Sequence, residues 1–279
     1  MKIKIISLIL LTIILTSYKM DREYFFPFGA KLKPVVQTDT TPKKVFVLGV
    51  YASAVHAKWI DNNGNVKVKA LAVASEPYIF WRGDSIEAKN IISEIKIPIE
   101  LGKLIPADST FNGPSGIALD NSFLEPLGYT RNEAWLCDLL PQTCINSSQK
   151  FALDREYEPL RLKYNLPQVT IPQPPKIFSD EKRVIEILEE IKKSEAEKII
   201  LLGDMPIKFF LSKVTNGKYK KLSDFGQTVE EYGKEHLIYI GGKEYKVIPL
   251  VHPRQADALG KSSENWNWLH RNWINNKKI

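Results

Sequence analysis

The stretch that decides the fold of this chain is 245–254, which reads Tyr-Lys-Val-Ile-Pro-Leu-Val-His-Pro-Arg. Its apolar residues are mostly β-branched and form a short run, which is typical of a strand buried on both faces. His252 and Pro253 end this run. In an open α/β sheet, ligands bind at the carboxyl ends of the strands. We therefore predict that His252 lies at a ligand site; the alternative is a turn histidine after an edge strand.

Other segments of the chain extend this pattern. Strands are predicted at 44–48, 66–74 and 199–202, and 134–140 is another short apolar stretch. Helices are predicted at 117–127, after a Ser179 cap, and around Trp266, Leu269 and Trp273, whose side chains line one face. Residues 213–246 read as a polar insertion with a hairpin turn at Gly241-Gly242. Alternating strands and helices without internal repeats indicate a parallel sheet between helical layers.

Composition sets the broad class. The chain has 279 residues, of which 44% are hydrophobic and 25% charged, and this is ordinary for a globular protein. The formal charge of +7 is compatible with a polyanionic partner but does not establish one. Cys137 and Cys144 are too few and too close for a disulfide framework, and no metal-ligand spacing surrounds them. We expect neither a metal nor an organic cofactor.

The first nineteen residues differ from the rest. Lys2 and Lys4 precede the apolar run 5–15, as in a secretory signal, but no small-residue cleavage site follows. The run is also short for a membrane span. We expect translation to start at Met20, with 1–19 an apolar leader or upstream extension and the protein cytoplasmic; export or membrane attachment is the alternative. Residues 20–42 are expected to be an irregular arm, and 43–276 a single α/β domain.

Four segments carry candidate chemistry, in this order along the chain. The first, 49–54, reads Gly-Val-Tyr-Ala-Ser-Ala and follows the first strand; the second, 111–116, is the glycine-flanked loop Phe-Asn-Gly-Pro-Ser-Gly. The third, 135–138, is Trp-Leu-Cys-Asp, and the fourth, 250–254, is Leu-Val-His-Pro-Arg. This ordered set resembles the uracil-DNA glycosylase superfamily, and the resemblance covers about residues 42–275 in outline.

The resemblance implies a fold, a reaction and a partner. The fold is a three-layer α/β/α sandwich with a central, mainly parallel four-stranded sheet. The reaction is hydrolysis of the N-glycosidic bond of uracil or another damaged base in DNA, by a monomer without cofactors. The residues assigned by the resemblance are the catalytic His252, the base-binding Gly49, Val50, Tyr51, Ala52, Phe111 and Asp138, and the phosphate-binding Arg254 and Ser262.

Physical chemistry agrees with these roles. Such an enzyme reads an extruded base in a pocket, and breaking the glycosidic bond leaves negative charge on that base. A neutral imidazole at His252 would stabilise this charge, and the ring of Phe111 would stack on the base. Arg254 lies where phosphates would pass. The alternatives are a packed phenylalanine and a solvated arginine.

Two departures from the family pattern affect these expectations. The first motif usually holds an acid or asparagine that positions water, but Val50, Tyr51 and Ala52 stand there. Glu76 and Asp108 are the candidates for water activation. His56 is close enough in sequence to the first motif to contact the site, although we expect it on a surface helix.

The second departure is Asp138, where the family usually has asparagine. An ionised aspartate only accepts hydrogen bonds and would repel uracil O4. A protonated Asp138 would mimic the amide, which requires a pKa raised by burial. Otherwise the site favours a base that offers donors on that edge. Two further functions stay open: a non-catalytic nucleic-acid-binding protein of the same fold, and a small-molecule hydrolase.

Overall fold

The computed structural model describes residues 23–257 and 263–277. Its strands have the following bounds: β1 Val45–Tyr51, β2 Ala54–Ile60, β3 Val66–Ser75, β4 Lys103–Pro106, β5 Ala134–Leu140, β6 Lys198–Leu202, β7 His236–Ile240 and β8 Lys243–Leu250. The strands predicted at 66–74 and 199–202 are confirmed within a residue at each end, and the apolar stretch 134–140 forms β5. The strand predicted at 44–48 is confirmed as β1 but continues to Tyr51.

The larger sheet is mixed and mostly parallel. Its strand order is β5-β1-β6-β8-β7, in which the first four strands run parallel and β7 pairs antiparallel with β8. The α/β class is therefore confirmed, whereas the expected four-stranded sheet has five strands. The fifth arises from the segment 213–246, which was wrongly predicted to be a polar insertion. Its Gly241-Gly242 turn forms the β7–β8 hairpin, and Leu222, Phe225 and Tyr232 are buried in the core.

A second sheet was not predicted from the sequence. It is antiparallel, with strand order β3-β2-β4. Strand β2 follows β1 after only two residues, so the chain passes directly from the large sheet to the small one. The segment 49–54 is therefore a strand-to-strand crossing. His56 lies within β2 and is buried, which corrects its predicted place on a surface helix.

The helices vary in length and winding. Their bounds are α1 Ser85–Ser93, α2 Pro114–Ala118, α3 Ser147–Ala152, α4 Glu158–Arg161, α5 Glu181–Ser194, α6 Asp204–Pro206, α7 Ser212–Val214, α8 Pro253–Ala256 and α9 Glu264–Lys277. Wider π-helical turns occupy Leu119–Leu124, Leu153–Tyr157 and Ile207–Leu211. Short 3₁₀ turns occupy Pro27–Gly29, Ile99–Leu101, Glu125–Leu127, Arg131–Glu133 and Leu222–Phe225. The predicted helix at 117–127 thus starts at Pro114 and changes its winding twice.

Helix α5 packs its apolar stripe on the large sheet. Val184, Ile187 and Ile191 recur at helical spacing and are buried. The N-cap is Asp180, whose carboxylate accepts from the backbone N–H of Arg183 at 2.8 Å. The predicted cap, Ser179, instead donates its hydroxyl to the Phe209 carbonyl oxygen at 2.6 Å. An aspartate placed one residue closer to the helix also interacts favourably with the helix dipole.

The buried side chains form two clusters. One surrounds the large sheet and includes Leu269 and Trp273 of α9, so the helix face predicted from their spacing packs in the core. The other surrounds the small sheet and contains side chains of the irregular arm at 23–42. In this arm, the ring of Phe28 packs edge-on against Trp59 and Tyr157.

Within the described ranges, no helix is both long and apolar enough to cross a membrane. The predicted leader at 1–19 lies outside these ranges.

Candidate active site

A cavity of about 430 Å³ lies at the carboxyl ends of the parallel strands. Its volume is within the usual range for ligand pockets. Segments far apart in sequence contribute its walls, which are formed by Val50, Tyr51, Ser53, Glu76, Phe80, Trp81, Phe111, Gly113–Gly116, Asp138, Pro174, Phe178, Met205, His252 and Arg254. All four candidate segments therefore contribute residues to one cavity. A larger cavity of about 590 Å³, lined by Lys31, Lys33 and Lys96, shares Glu76 with it.

His252 lies two residues beyond the end of β8 and caps the short helix α8. Its Nδ1 accepts from the backbone N–H of Arg254 at 3.2 Å. Burial, with a smaller effect from the Arg254 charge, lowers the pKa of His252 to about 4, so the ring is neutral at physiological pH. Because Nδ1 accepts, the single ring proton is on Nε2. The ring therefore offers a fixed N–H donor at the cavity.

A buried tyrosine holds the strand end that carries His252. The Tyr232 hydroxyl accepts from the backbone N–H of Val251 at 3.0 Å and lies 2.8 Å from Nδ1 of His270. This pair of contacts fixes the backbone next to His252. Gly203, with φ +87°, lies beside it, and a Cβ there would come within 3.0 Å of the His252 Cβ.

Asp138 faces the cavity from the interior of β5. It is 3% exposed, and β1–β5 pairing places it opposite Gly49. A Cβ on Gly49 would lie 2.3 Å from Asp138 Oδ1, so only glycine leaves room for this carboxyl. Burial raises the pKa of Asp138 to about 7. Among the described residues, none donates a hydrogen bond to the carboxyl, and Arg183 donates to the backbone carbonyl oxygen of Asp138 at 2.6 Å.

Glu76 is the second buried carboxyl of the cavity. It follows β3, is 5% exposed, and accepts from the backbone N–H groups of Ser53, at 3.0 Å, and Trp81. Burial and then the nearby charge of Asp138 raise its pKa to about 8. At neutral pH this carboxyl is therefore mostly protonated.

Two loops form the aromatic side of the cavity. Phe111 is 41% exposed and borders the cavity, and Phe80 lies deeper with a left-handed backbone (φ +53°), which is unusual for a bulky residue. The loops touch through their backbones. A Cβ on Gly113 would meet the Arg82 carbonyl carbon at 2.0 Å, and one on Gly116 would meet the Phe80 carbonyl oxygen at 2.2 Å. These glycines allow the contact that positions both rings.

The structure brings some of the predicted site residues to the cavity and not others. Val50, Tyr51, Phe111, Asp138, Glu76, His252 and Arg254 line it. Gly49 pairs with Asp138 across the β1–β5 ladder and leaves room for its carboxyl, and Ala52 is fully buried. Asp108 is outside the cavity wall; its carboxylate is exposed and pairs with Lys58 at 3.1 Å. Ser262 lies outside the described residues.

Sequence reasoning missed the wall residues Phe80, Trp81, Pro174, Phe178 and Met205, and it named Ser53 only as part of the segment 49–54. Phe80 and Trp81 follow the Ser75-Glu76-Pro77 turn in a segment without clear periodicity, and Ser53 lies in the short crossing between two strands. The available signal was the aromatic pair Phe80-Trp81, which ends two residues before Gly83. Its proximity to the loop 111–116 depends on tertiary contacts.

No protein-family model matches the sequence, and no curated protein shows significant similarity to it. The described residues also contain no group of three or more histidine, cysteine or acidic side chains that could hold a metal ion. Cys137 and Cys144 are both buried free thiols.

Proposed function

We propose that this protein is a DNA glycosylase of the uracil-DNA glycosylase type, which hydrolyses the N-glycosidic bond of uracil or another deaminated or damaged base. The observation that carries the proposal is the neutral, capped His252 at a cavity on the carboxyl edge of the sheet. The mostly parallel sheet is compatible with the three-layer α/β/α sandwich of that superfamily, which is part of the proposal.

The chemistry requires stabilisation of the departing base. When the glycosidic bond breaks, its electron pair leaves with the base, and water adds to the sugar carbon and loses a proton. A neutral imidazole that donates its Nε2–H to a base oxygen stabilises the negative charge that develops on the base. His252 has the tautomer for this task, because the backbone N–H of Arg254 occupies its Nδ1.

Two exposed side chains at the rim of the cavity, Phe111 and Arg254, support nucleic-acid binding. Phe111 exposes enough of its ring to stack on an extruded base, a contact worth roughly 1–3 kcal/mol. Arg254 is exposed beside His252, where its guanidinium is available to a backbone phosphate. A ligand held by both residues would have its base in the cavity and its phosphate outside.

A non-catalytic nucleic-acid-binding function is the alternative, and one observation favours it. The first motif contains no acid, and Asp108 is outside the cavity. Glu76 is then the carboxyl best placed to activate water, yet its raised pKa keeps it mostly protonated at neutral pH. A protonated carboxyl does not accept a proton from water.

The test is single-turnover base release, measured as abasic sites, over duplex and single-stranded oligonucleotides that carry uracil, hypoxanthine, xanthine or an alkylated or oxidised base. His252→Asn retains an N-cap for α8 but removes the Nε2–H donor, and His252→Ala removes both. We expect both variants to lose about 100- to 1000-fold in rate while oligonucleotide affinity changes little. His236→Ala, on β7 and outside the cavity wall, is the matched control.

Melting temperatures on the same preparations separate chemistry from structure. If His252→Asn keeps the wild-type rate per folded molecule, His252 is structural. If the wild-type protein releases no base but binds the oligonucleotides with strong salt dependence, the binding function replaces the enzymatic one.

A further inference from the structure

The cavity contains two buried carboxyls and few groups that can satisfy them. Glu76 has two backbone donors, whereas the described part of the chain offers none to the carboxyl of Asp138. Phe80, Trp81 and Phe178 supply apolar walls around them. A buried polar group without a partner costs folding free energy, so it marks a place where a ligand is expected to supply the missing hydrogen bonds.

The hydrogen-bonding capacity of a carboxylate defines that ligand. An ionised carboxylate has two acceptor oxygens and no donor, so it pairs best with two adjacent N–H groups. Uracil presents one N–H between two carbonyl oxygens, and one of these would face a carboxylate oxygen. A guanine-type edge, with a ring N–H beside an exocyclic amino group, presents two adjacent donors.

We propose that Asp138 selects bases that carry a ring N–H next to an exocyclic amino group, and that the cavity therefore prefers guanine-type damaged bases to uracil. The inference rests on the proposed function in taking the ligand to be a nucleobase. Glu76, in the same cavity, adds a second carboxyl near the amino group. Gly49 fixes the geometry, since any side chain there would displace the Asp138 carboxyl.

Charged groups around Asp138 determine how this preference depends on pH. Arg183 and Glu190 act on it with opposite signs, and Arg183 is also close enough to bond its backbone oxygen. From the cavity side, Glu76 is coupled to Asp138, and Arg131 acts on Glu76.

His252 and Arg254 belong to the same cavity wall; His252 is neutral, and Arg254 is exposed at the rim. With a pKa of about 7, Asp138 is protonated in acid and can then donate to a uracil oxygen. Above pH 7 it is ionised and only accepts. The preference for the amino-bearing base should therefore rise with pH.

Isocytosine and uracil are the probes, because beside the ring N–H and its C4 oxo group isocytosine carries an amino group at C2 where uracil carries an oxo group. Calorimetric titration of the whole protein, at about pH 6 and about pH 8, brackets the Asp138 pKa. At the higher pH we expect wild-type protein to bind isocytosine about 10- to 100-fold tighter than uracil. Asp138→Asn should reverse the preference and remove the part of its pH dependence that comes from Asp138. Asp154→Asn, at an exposed pair with Lys150, is the matched control.

The outcomes distinguish this inference from the proposed function. A wild-type preference for uracil at both pH values, an Asp138→Asn preference equal to wild type, or binding of neither probe overturns the inference. Free bases report on the cavity without requiring base release, whereas the oligonucleotide assay reports on the reaction. Isocytosine preference without any base release would leave the inference standing and refute the enzymatic function.

Discussion

Asn112 and Asp138 are two polar side chains with nearly the same burial, 2% and 3% exposed, and opposite surroundings. Asn112 joins the loop 111–116 to the small sheet: its Oδ1 accepts from the His56 N–H at 2.8 Å, and its Nδ2 donates to the His56 carbonyl oxygen at 2.9 Å. The Asp138 carboxyl, on the large sheet, has no such partner among the described residues. Burial alone therefore does not distinguish these two side chains, whereas their hydrogen-bond partners do.

This contrast predicts opposite stability effects. Asn112→Ala leaves the backbone N–H of His56 buried without its partner, which costs about 1–3 kcal/mol. It also removes one of two hydrogen bonds to the His56 carbonyl oxygen, worth about 0.5–1.5 kcal/mol, since the Ala107 N–H still donates to that oxygen at 3.0 Å. The free energy of unfolding, from urea denaturation, should fall by roughly 1.5–4.5 kcal/mol. Asp138→Asn should be neutral or stabilising above pH 7, because it removes a buried ionised carboxyl.

Asn132→Ala, at an exposed asparagine, is the control and should stay within about 0.5 kcal/mol of wild type. The comparison fails if Asp138→Asn destabilises the protein as much as Asn112→Ala does.

The carboxyl pair should also make stability depend on pH. The folded-state pKa values of Asp138 and Glu76, about 7 and about 8, lie above their ordinary values of 3.8 and 4.5. The folded protein thus binds more protons than the unfolded chain. The stabilisation is complete below about pH 4 and is lost as pH rises through 7 and 8.

Relative to the double variant Glu76→Gln/Asp138→Asn, we expect the wild-type free energy of unfolding to fall by roughly 5 kcal/mol between about pH 5.5 and about pH 8. Over this range the pKa values give about 1.5 pKa units for Asp138 and about 2 for Glu76, and each unit corresponds to about 1.4 kcal/mol. The difference between the two proteins is the quantity to measure, because buried histidines with a lowered pKa, such as His252, act with the opposite sign in both. Urea denaturation curves recorded across the range give this difference, and a difference that does not change with pH would assign the slope to other groups.

The smallest expected effect concerns Phe111, next to Asn112 in the same loop. Because its ring is 41% exposed, Phe111→Ala should change stability by less than about 1 kcal/mol. Affinity for lesion-containing oligonucleotides should fall by roughly 1–3 kcal/mol, measured by fluorescence anisotropy.

Phe151→Ala is the matched control, since Phe151 is 62% exposed and lies beneath Arg155 outside the cavity wall. Equal losses of affinity in the two variants would indicate a general effect of removing surface aromatics. A large loss of stability in Phe111→Ala would indicate a core role.

Local patterns in the sequence predicted the elements whose residues are uniform in character. The apolar run 134–140 coincides with β5, and the Gly241-Gly242 turn lies between β7 and β8. Strand β2 was missed because Lys58 and His56 interrupt its apolar residues, and its partners, β3 and β4, lie elsewhere in the sequence. Pairing with distant strands supplied what the local pattern lacked.

The sequence by itself determined that Asp138 lies within an apolar strand of an α/β sheet and that His252 follows the end of another, because hydrophobic runs and turns are local properties. Only the tertiary structure decided that Asp138 lies opposite Gly49, that Glu76 is buried beside it, and that Phe80 closes the same cavity. These facts depend on strand register and on backbone contacts between distant loops. The pKa of a carboxyl depends on those same distant neighbours, which local sequence patterns do not specify.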